Sequence, residues 1–225
     1  MPPVQIVETR DIDAGFEPAL FILARALNVP PLGLAMLLFS ESDLRPRARN
    51  GLCVGINQMC PGTLEGYVNP AGIKPGQKDV PSSLYSQNAD AYQAMSASEQ
   101  MRAGVAPLWT SRARQYGGVD SPEDVYWLNF FPATYKRGLP TTAVVTDAAW
   151  AIQDNPSLAN GKSYITKGDL GTAMRRATTR DPKRWAEVAA RVNAYAAAGR
   201  PGPGTGAAVG IAAILIAAIA AAHRS

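Results

Sequence analysis

Histidine and cysteine are nearly missing from this chain of 225 residues. Its one His stands at position 223, and its two Cys, Cys53 and Cys60, flank a short segment. A structural zinc cluster needs four nitrogen or sulfur ligands, so these three residues exclude one, and no metal site is expected. The two cysteines read as a pair of buried thiols, with a bridge across one tight turn as the geometric alternative. Charge is scarce as well: 18% of residues are charged, with an excess of only four positive charges. That is far below the density of a nucleic-acid binder, so no specific nucleic-acid partner is expected, although the bias suits contact with acidic polymers. The N-terminal stretch MPPVQIVETRDID carries acids early and has no apolar run before a small-residue cleavage site. Sec-type export is therefore not expected.

What the chain does have is apolar residues, at 47% of the total, which excludes general disorder. Its length allows one ordinary domain and something more. Alanine is in excess, with 38 in all and nine in the last 20 residues, inside the charge-free run 206–222. As a helix, those 17 residues would measure roughly 25 Å, slightly less than the ~30 Å hydrocarbon core of a bilayer. The run is expected either to span a membrane or to pack within a protein assembly. Gly206 and Gly210 make a small-xxx-small pattern that suits close helix packing in both settings.

Upstream, residues 16–27 read as a helix, and Pro30-Pro31 punctuates the start of a second. In the second, Leu34, Leu37, Leu38 and Glu41 recur at spacings of three and four, placing a carboxylate on a leucine face. Such an acid is either a solvated helix terminus or a partly buried group whose pKa is raised by desolvation. The glycines at 51 and 55 make 51–61 a loop or small hairpin, and 69–83 reads as a long surface loop. Helical patterns return at about 90–95, 98–116 and 122–131, with Ser98 as an N-cap and Gly117-Gly118 as a stop. From 148 to 198 the pattern is helical again, broken by the turn residues 155–161. The last helix is marked by Asp181 as N-cap, Pro182 at its first position and Gly199 past its end, with Trp185, Val188, Val192 and Tyr195 on one packed face.

Three segments together resemble a known family. The first runs from Asn28-Val-Pro-Pro-Leu through Leu37-Leu-Phe-Ser-Glu41-Ser42-Asp43-Leu-Arg-Pro-Arg-Ala48. The second is Val54-Gly-Ile-Asn-Gln58-Met-Cys-Pro61-Gly-Thr63. The third comprises Met95-Ser-Ala-Ser-Glu-Gln100 and Asp124-Val-Tyr-Trp-Leu-Asn-Phe-Phe-Pro132-Ala133. In order and spacing they are similar to the soluble lytic murein transglycosylases, of goose-type lysozyme-like fold, and particularly to members carried in phage virions. The resemblance covers roughly residues 16–170. It departs from the family pattern at Asp43, where a glycine is usual.

The resemblance implies a mainly α, α+β lysozyme-like fold: a helical catalytic domain over 16–147, with a small hairpin after the catalytic helix. Extra helices at 148–199, a Pro/Gly linker at 200–205 and the apolar helix at 206–222 would follow. It assigns Glu41 as the catalytic acid and Ser42, Gln58, Tyr126 and Asn129 as substrate-binding residues, and calls for no cofactor. Two of the four have a plainer alternative, a helix-end hydroxyl for Ser42 and a hairpin amide for Gln58; Tyr126 and Asn129 match the family's late Tyr-Asn cleft wall more loosely, and their neighbours Trp127 and Phe130 read as core. Arg45, Arg47 and Arg49 would attract acidic stem peptides or form a solvated loop. The 155–170 stretch resembles half a calcium loop in some relatives, but its acids are absent before Asp169, so no calcium is expected.

The chemistry explains why one carboxyl on an apolar face matters. Cleaving the β-1,4 bond between N-acetylmuramic acid and N-acetylglucosamine requires an acid that stays protonated near neutral pH. Most glycosidases add a second carboxylate roughly 5–9 Å away. The family resembled here uses the substrate's acetamido group instead, and the same Glu then acts as base on the C6 hydroxyl to give a 1,6-anhydro product. Successive helix residues turn by about 100°, so Asp43 points away from Glu41 and reads as a loop or capping residue. The expected partners are peptidoglycan glycan strands, with other virion proteins or a membrane meeting 206–222. The expected location is a virion tail or internal ejection component that acts in the host cell envelope. A hydrolysing lysozyme, or a non-catalytic virion protein on the same fold, is the alternative.

Overall fold

The computed structural model describes residues 12–61, 63–64 and 82–199. The fold is mainly helical with two small two-stranded ladders. The linker at 200–205, the apolar run at 206–222 and most of the expected loop at 69–83 lie outside the described residues.

Helix α1 (Phe16–Leu27) buries Phe16, Leu20, Leu23 and Leu27, spaced by three and four, and ends where Asn28 turns left-handed at φ 55°. Helix α2 (Pro31–Ser42) begins with Pro31 at its first turn. Leu34, Ala35, Leu37, Leu38 and Phe39 are all fully enclosed. A helix apolar on nearly every side has to sit at the centre of a bundle. A second helix layer therefore packs around it, as described below.

After α2 the chain makes a hairpin of β1 (Arg49–Asn50) and β2 (Cys53–Val54), paired Arg49 to Val54 and Asn50 to Cys53. Gly51 supplies the positive φ of 57° in its turn. The cysteines differ from expectation. Cys53 and Cys60 form a disulfide, with Cys53 half-buried and Cys60 exposed, so they are not buried thiols. The Val54–Met59 bridge folds the chain back and brings the two Cα atoms to 4.1 Å.

Helix α3 (Ser82–Ala94) starts earlier than the expected position near 90, taking up the end of the presumed loop. The next helix is capped by Ser96 rather than Ser98. Ser96 Oγ accepts from Glu99 N while Glu99 returns a bond to Ser96 N, a complete capping box. It runs as α4 (Ala97–Gln100), a π-turn over Met101–Val105 and α5 (Ala106–Gln115). Pro107 has no N–H to continue the α ladder, and the wider turn, with Ala106 N donating to Met101 O, carries the helix past it. The expected stop holds: Gly117 and Gly118 both have positive φ, and Gly118 N reaches back to Ala113 O.

Helix α6 (Pro122–Phe130) is capped by Ser121. A short ladder that the sequence reading did not anticipate pairs β3 (Val144–Thr146) with β4 (Ile165–Thr166), with a bulge between Val144 and Thr146. Between these strands lie the short helices α7 (Ala149–Asp154) and α8 (Pro156–Ala159). Helix α9 (Lys167–Arg180) opens on a Thr166–Asp169 capping box, which commits the Asp169 carboxylate to Thr166 and to Lys162 at 2.5 Å. Helix α10 (Pro182–Ala197) has the expected Asp181 cap and a buried stripe of Val188 and Val192. Trp185 meets Phe39, and Tyr195 meets Phe21. Helices α1, α6, α9 and α10 all pack on α2. Residues beyond 147 are thus part of the wall around the central helix.

Among the described residues no single helix is long and apolar enough to cross a membrane.

Candidate active site

The C-terminal end of α2 opens into a groove of about 1260 Å³. One side is the loop and hairpin of residues 43–60, the floor is the last turn of α2 with the end of α6, and the other side is α7, α8 and the outer face of α9. Glu41, Ser42, Gln58, Tyr126 and Asn129, the five residues singled out by resemblance, all line it. They come from three elements separated by up to 88 positions in sequence, and the fold brings them together.

Glu41 stands in the last turn of α2 and is half-buried. Burial among the leucines pushes its carboxyl up to about 7, against a pull downward from the hydrogen bond donated by Tyr126. Its position adds to the effect, because helix carbonyls converge at a C-terminus and disfavour an anion there. Among the described residues no cation is paired with it. Tyr126 is 7% exposed, on α6. Burial and the neighbouring Glu41 charge hold its phenol far above the usual tyrosine range, so it remains a donor. Ser40, one position before Glu41, donates its hydroxyl to Leu37 O at 2.7 Å.

The hairpin is held against α2 by buried polar contacts. Ser42 Oγ lies 2.9 Å from Ile56 O and 3.2 Å from Leu38 O, so its hydroxyl ties the helix end to the hairpin. Gln100, fully buried, accepts from Ile56 N at 2.8 Å and donates to Pro46 O at 2.9 Å and Tyr92 O at 2.6 Å. Tyr92 donates to Asn57 Oδ1 at 3.0 Å. Gly55, at φ 82°, fits beneath them because any Cβ would stand 2.3 Å from the Tyr92 ring. Sequence reasoning gave neither Gln100 nor Tyr92 a place at the site. The one signal for Gln100 is its place in the 95–100 block that resembles the family.

Gln58, also left-handed at φ 48°, donates through Nε2 to Gly55 O at 2.9 Å. Its Oε1 is enclosed and has no partner among the described residues. Asn129 accepts from Trp109 Nε1 at 3.0 Å and donates to Asn57 O at 3.4 Å, joining α5, α6 and the hairpin. Trp127 is core, fully enclosed, whereas Phe130 lines the groove.

Asp43 behaves as a capping residue. It ends α2 in the left-handed region at φ 54°, followed by Leu44 at φ 58°. Glycine suits such a position best, and among other residues Asp and Asn bear it most easily. Arg180 binds its carboxylate at 2.6 Å and Arg184 Nε donates to its carbonyl at 3.0 Å. These bonds tie the end of α2 to α9 and α10. The rim is basic on both sides: Arg45, Arg47 and Arg49 on the loop face Arg176 and Arg180 across the groove. Arg49 is engaged with Gln93 and Asp90, while Arg45 and Arg47 are exposed.

Chemically, the arrangement offers one carboxyl that is half protonated near neutrality, a phenol that steadies it, amide groups on the walls and a positive rim. Among the described residues no group of three or more His, Cys, Asp or Glu is placed to hold a metal ion. No family model matches this chain, and neither a curated protein nor a solved structure matches it.

Proposed function

We propose that the chain is a lytic murein transglycosylase that cleaves the MurNAc–GlcNAc β-1,4 bond with Glu41 as its single acid and base. The observation that carries this reading is the Glu41 carboxyl, raised to about 7 in a groove of about 1260 Å³. Protonated Glu41 gives its proton to the glycosidic oxygen as the bond to C1 breaks, and the acetamido oxygen of the muramic residue closes on C1. The Glu41 carboxylate then takes the C6 hydroxyl proton as that oxygen displaces the acetamido oxygen, which leaves a 1,6-anhydro end and regenerates the acid. Tyr126 orients the carboxyl, and Gln58 and Asn129 fit roles in shaping the groove wall beside it. The arginine rim suits the acidic stem peptides of murein. In this reading the enzyme travels in a phage virion and opens the wall for genome delivery, with 206–222 seated in a membrane or packed in the particle.

A hydrolysing lysozyme is the second reading, favoured by Asp154, an exposed carboxylate on the opposite side of the same groove. Asp43 is a poorer second carboxylate because Arg180 occupies it. Digesting purified murein with wild type and Glu41→Gln, followed by mass analysis of the sugars, separates the readings. Anhydro ends that vanish in the variant are the expected result, whereas reducing ends would establish the lysozyme. The absence of products from wild type would overturn both and leave a structural virion component. Proteomics of purified particles that lack this chain would count against the virion assignment.

A further inference from the structure

Four large hydrophobic residues are strongly exposed among the described residues, at positions 52, 144, 150 and 164, and of these only Trp150 lines the groove. It leaves 62% of its surface in solvent. An indole so open is the informative kind of exception, since scattered aliphatic exposure is ordinary but a flat aromatic in a cleft is not. The ring is not loose: it rests on Phe131, with centroids 5.7 Å apart and planes 35° apart, and Phe131 in turn meets Phe130. Its neighbourhood is polar. Asp154, Asn155 and Ser157 line the same side of the groove, and Asn155 is fixed by its bond to Ala151 O at 3.0 Å.

One braced aromatic face edged by a carboxylate, an amide and a hydroxyl matches a pyranose ring, which has an apolar C–H face and a polar rim. A protein-docking site would instead present a contiguous apolar patch of several hundred Å². The groove, at about 1260 Å³, is also larger than the roughly 300–1,000 Å³ of a small-molecule pocket, leaving room for several sugars.

We propose that Trp150, braced by Phe131 and edged by Asp154, is a saccharide-binding subsite on the side of the groove facing the 43–60 loop. The ligand class rests on the murein reading above. The subsite positions the glycan strand rather than touching the reacting bond. It also gives the helices beyond residue 148 a share in substrate recognition.

The test uses the full chain with Glu41→Gln to prevent turnover and an N-acetylglucosamine tetramer as probe, followed by calorimetry and tryptophan emission. Of the other three tryptophans, Trp109 and Trp127 are buried and Trp185 is half-buried against Phe39 and does not line the groove, so a change on binding would come chiefly from Trp150. Trp150→Ala should weaken binding about three- to tenfold, the scale of a lost aromatic contact, and Trp150→Phe should keep most of the affinity. Both substitutions alter an exposed ring, so folding should persist, and circular dichroism checks it. Equal binding by Trp150→Ala, or no binding of the tetramer by the parent, would overturn the subsite. If wild type digests murein while Trp150 proves irrelevant to binding, the subsite falls and the function stands. If wild type digests nothing yet tetramer binding depends on Trp150, the subsite stands and the transglycosylase falls.

Discussion

The start of α6 and the end of α2 each hold a carboxyl inside the protein, and the two are treated in opposite ways. Asp124, fully buried, lies in the first turn of α6, where backbone N–H groups converge. It accepts from Asp120 N at 3.1 Å and lies 3.2 Å from Ser121 Oγ, and Lys167 Nζ sits 2.7 Å away. Glu41 lies in the last turn of α2, where carbonyls converge, and its hydrogen-bond donor is the Tyr126 phenol. Asp124 is thus anchored as an anion, whereas Glu41, met by Tyr126 two residues further along α6, has its carboxyl pushed up to about 7. In the proposed mechanism this difference is what proton transfer requires of a fold: burial without the cations and N–H groups that would make ionisation easy.

If Asp124 is structural, removing it should have the largest effect on stability. Asp124→Ala leaves Lys167, itself 7% exposed, with an unpaired buried charge. Breaking such a pair costs about 3–5 kcal/mol. Urea unfolding should show that loss, and Asp124→Leu combined with Lys167→Met should recover much of it because neither charge is then stranded. A loss below about 1 kcal/mol for the single variant would mean that the pair is not the anchor its geometry indicates.

Glu41→Gln should do the reverse. The folded-state pKa of Glu41 is raised, from 4.5 to about 7. Below pH 4.5 both folded and unfolded chains hold the proton and there is no penalty. As pH rises from 4.5 to about 7 the unfolded chain releases its proton first, so stability is lost across that window and stays lost above it. The glutamine variant lacks this loss. It should match wild type near pH 4 and exceed it at pH 8 by as much as about 3 kcal/mol, the linkage value of that rise. A variant less stable than wild type at pH 8 would erase the contrast with Asp124.

The sequence showed one half of this contrast much better than the other. The helix and face of Glu41 were legible from the leucines at 34, 37 and 38 and the proline at the start of α2, but that pattern left a solvated terminus open and only the resemblance singled the residue out. Helices α1 and α10 were legible for the same reasons, through apolar spacing and caps. Local pattern could not show what meets Glu41 from elsewhere. Gln100 and Tyr92 clamp the hairpin through contacts 35 to 54 residues apart in sequence. The facing wall of Arg176, Arg180 and Trp150 depends on how α7 and α9 pack, which periodicity does not specify. The β3–β4 ladder, with strands of three and two residues, is shorter than any alternation that could announce it. The Cys53–Cys60 bridge depended on a Val54–Met59 fold-back that only the assembled hairpin reveals.

The smallest and most specific test concerns Tyr126, where the two helices meet. Its hydroxyl donates to Glu41 and stabilises the ionised form, so Tyr126→Phe should raise the Glu41 pKa further above about 7. In the proposed mechanism the first step needs the protonated acid, so the rate of murein cleavage should fall as pH climbs through that pKa. In Tyr126→Phe this alkaline limb should move upward by about one pH unit at most, since one unit corresponds to roughly 1.4 kcal/mol and the lost bond is a single one. The phenylalanine ring fills the same buried space, so stability should change little at pH 4, where Glu41 is neutral in both proteins. A limb that stays in place while the rate simply drops would make Tyr126 a wall of the cleft and no more. A limb that moves down would mean that Tyr126 had been holding the proton on Glu41, contrary to the direction of its hydrogen bond.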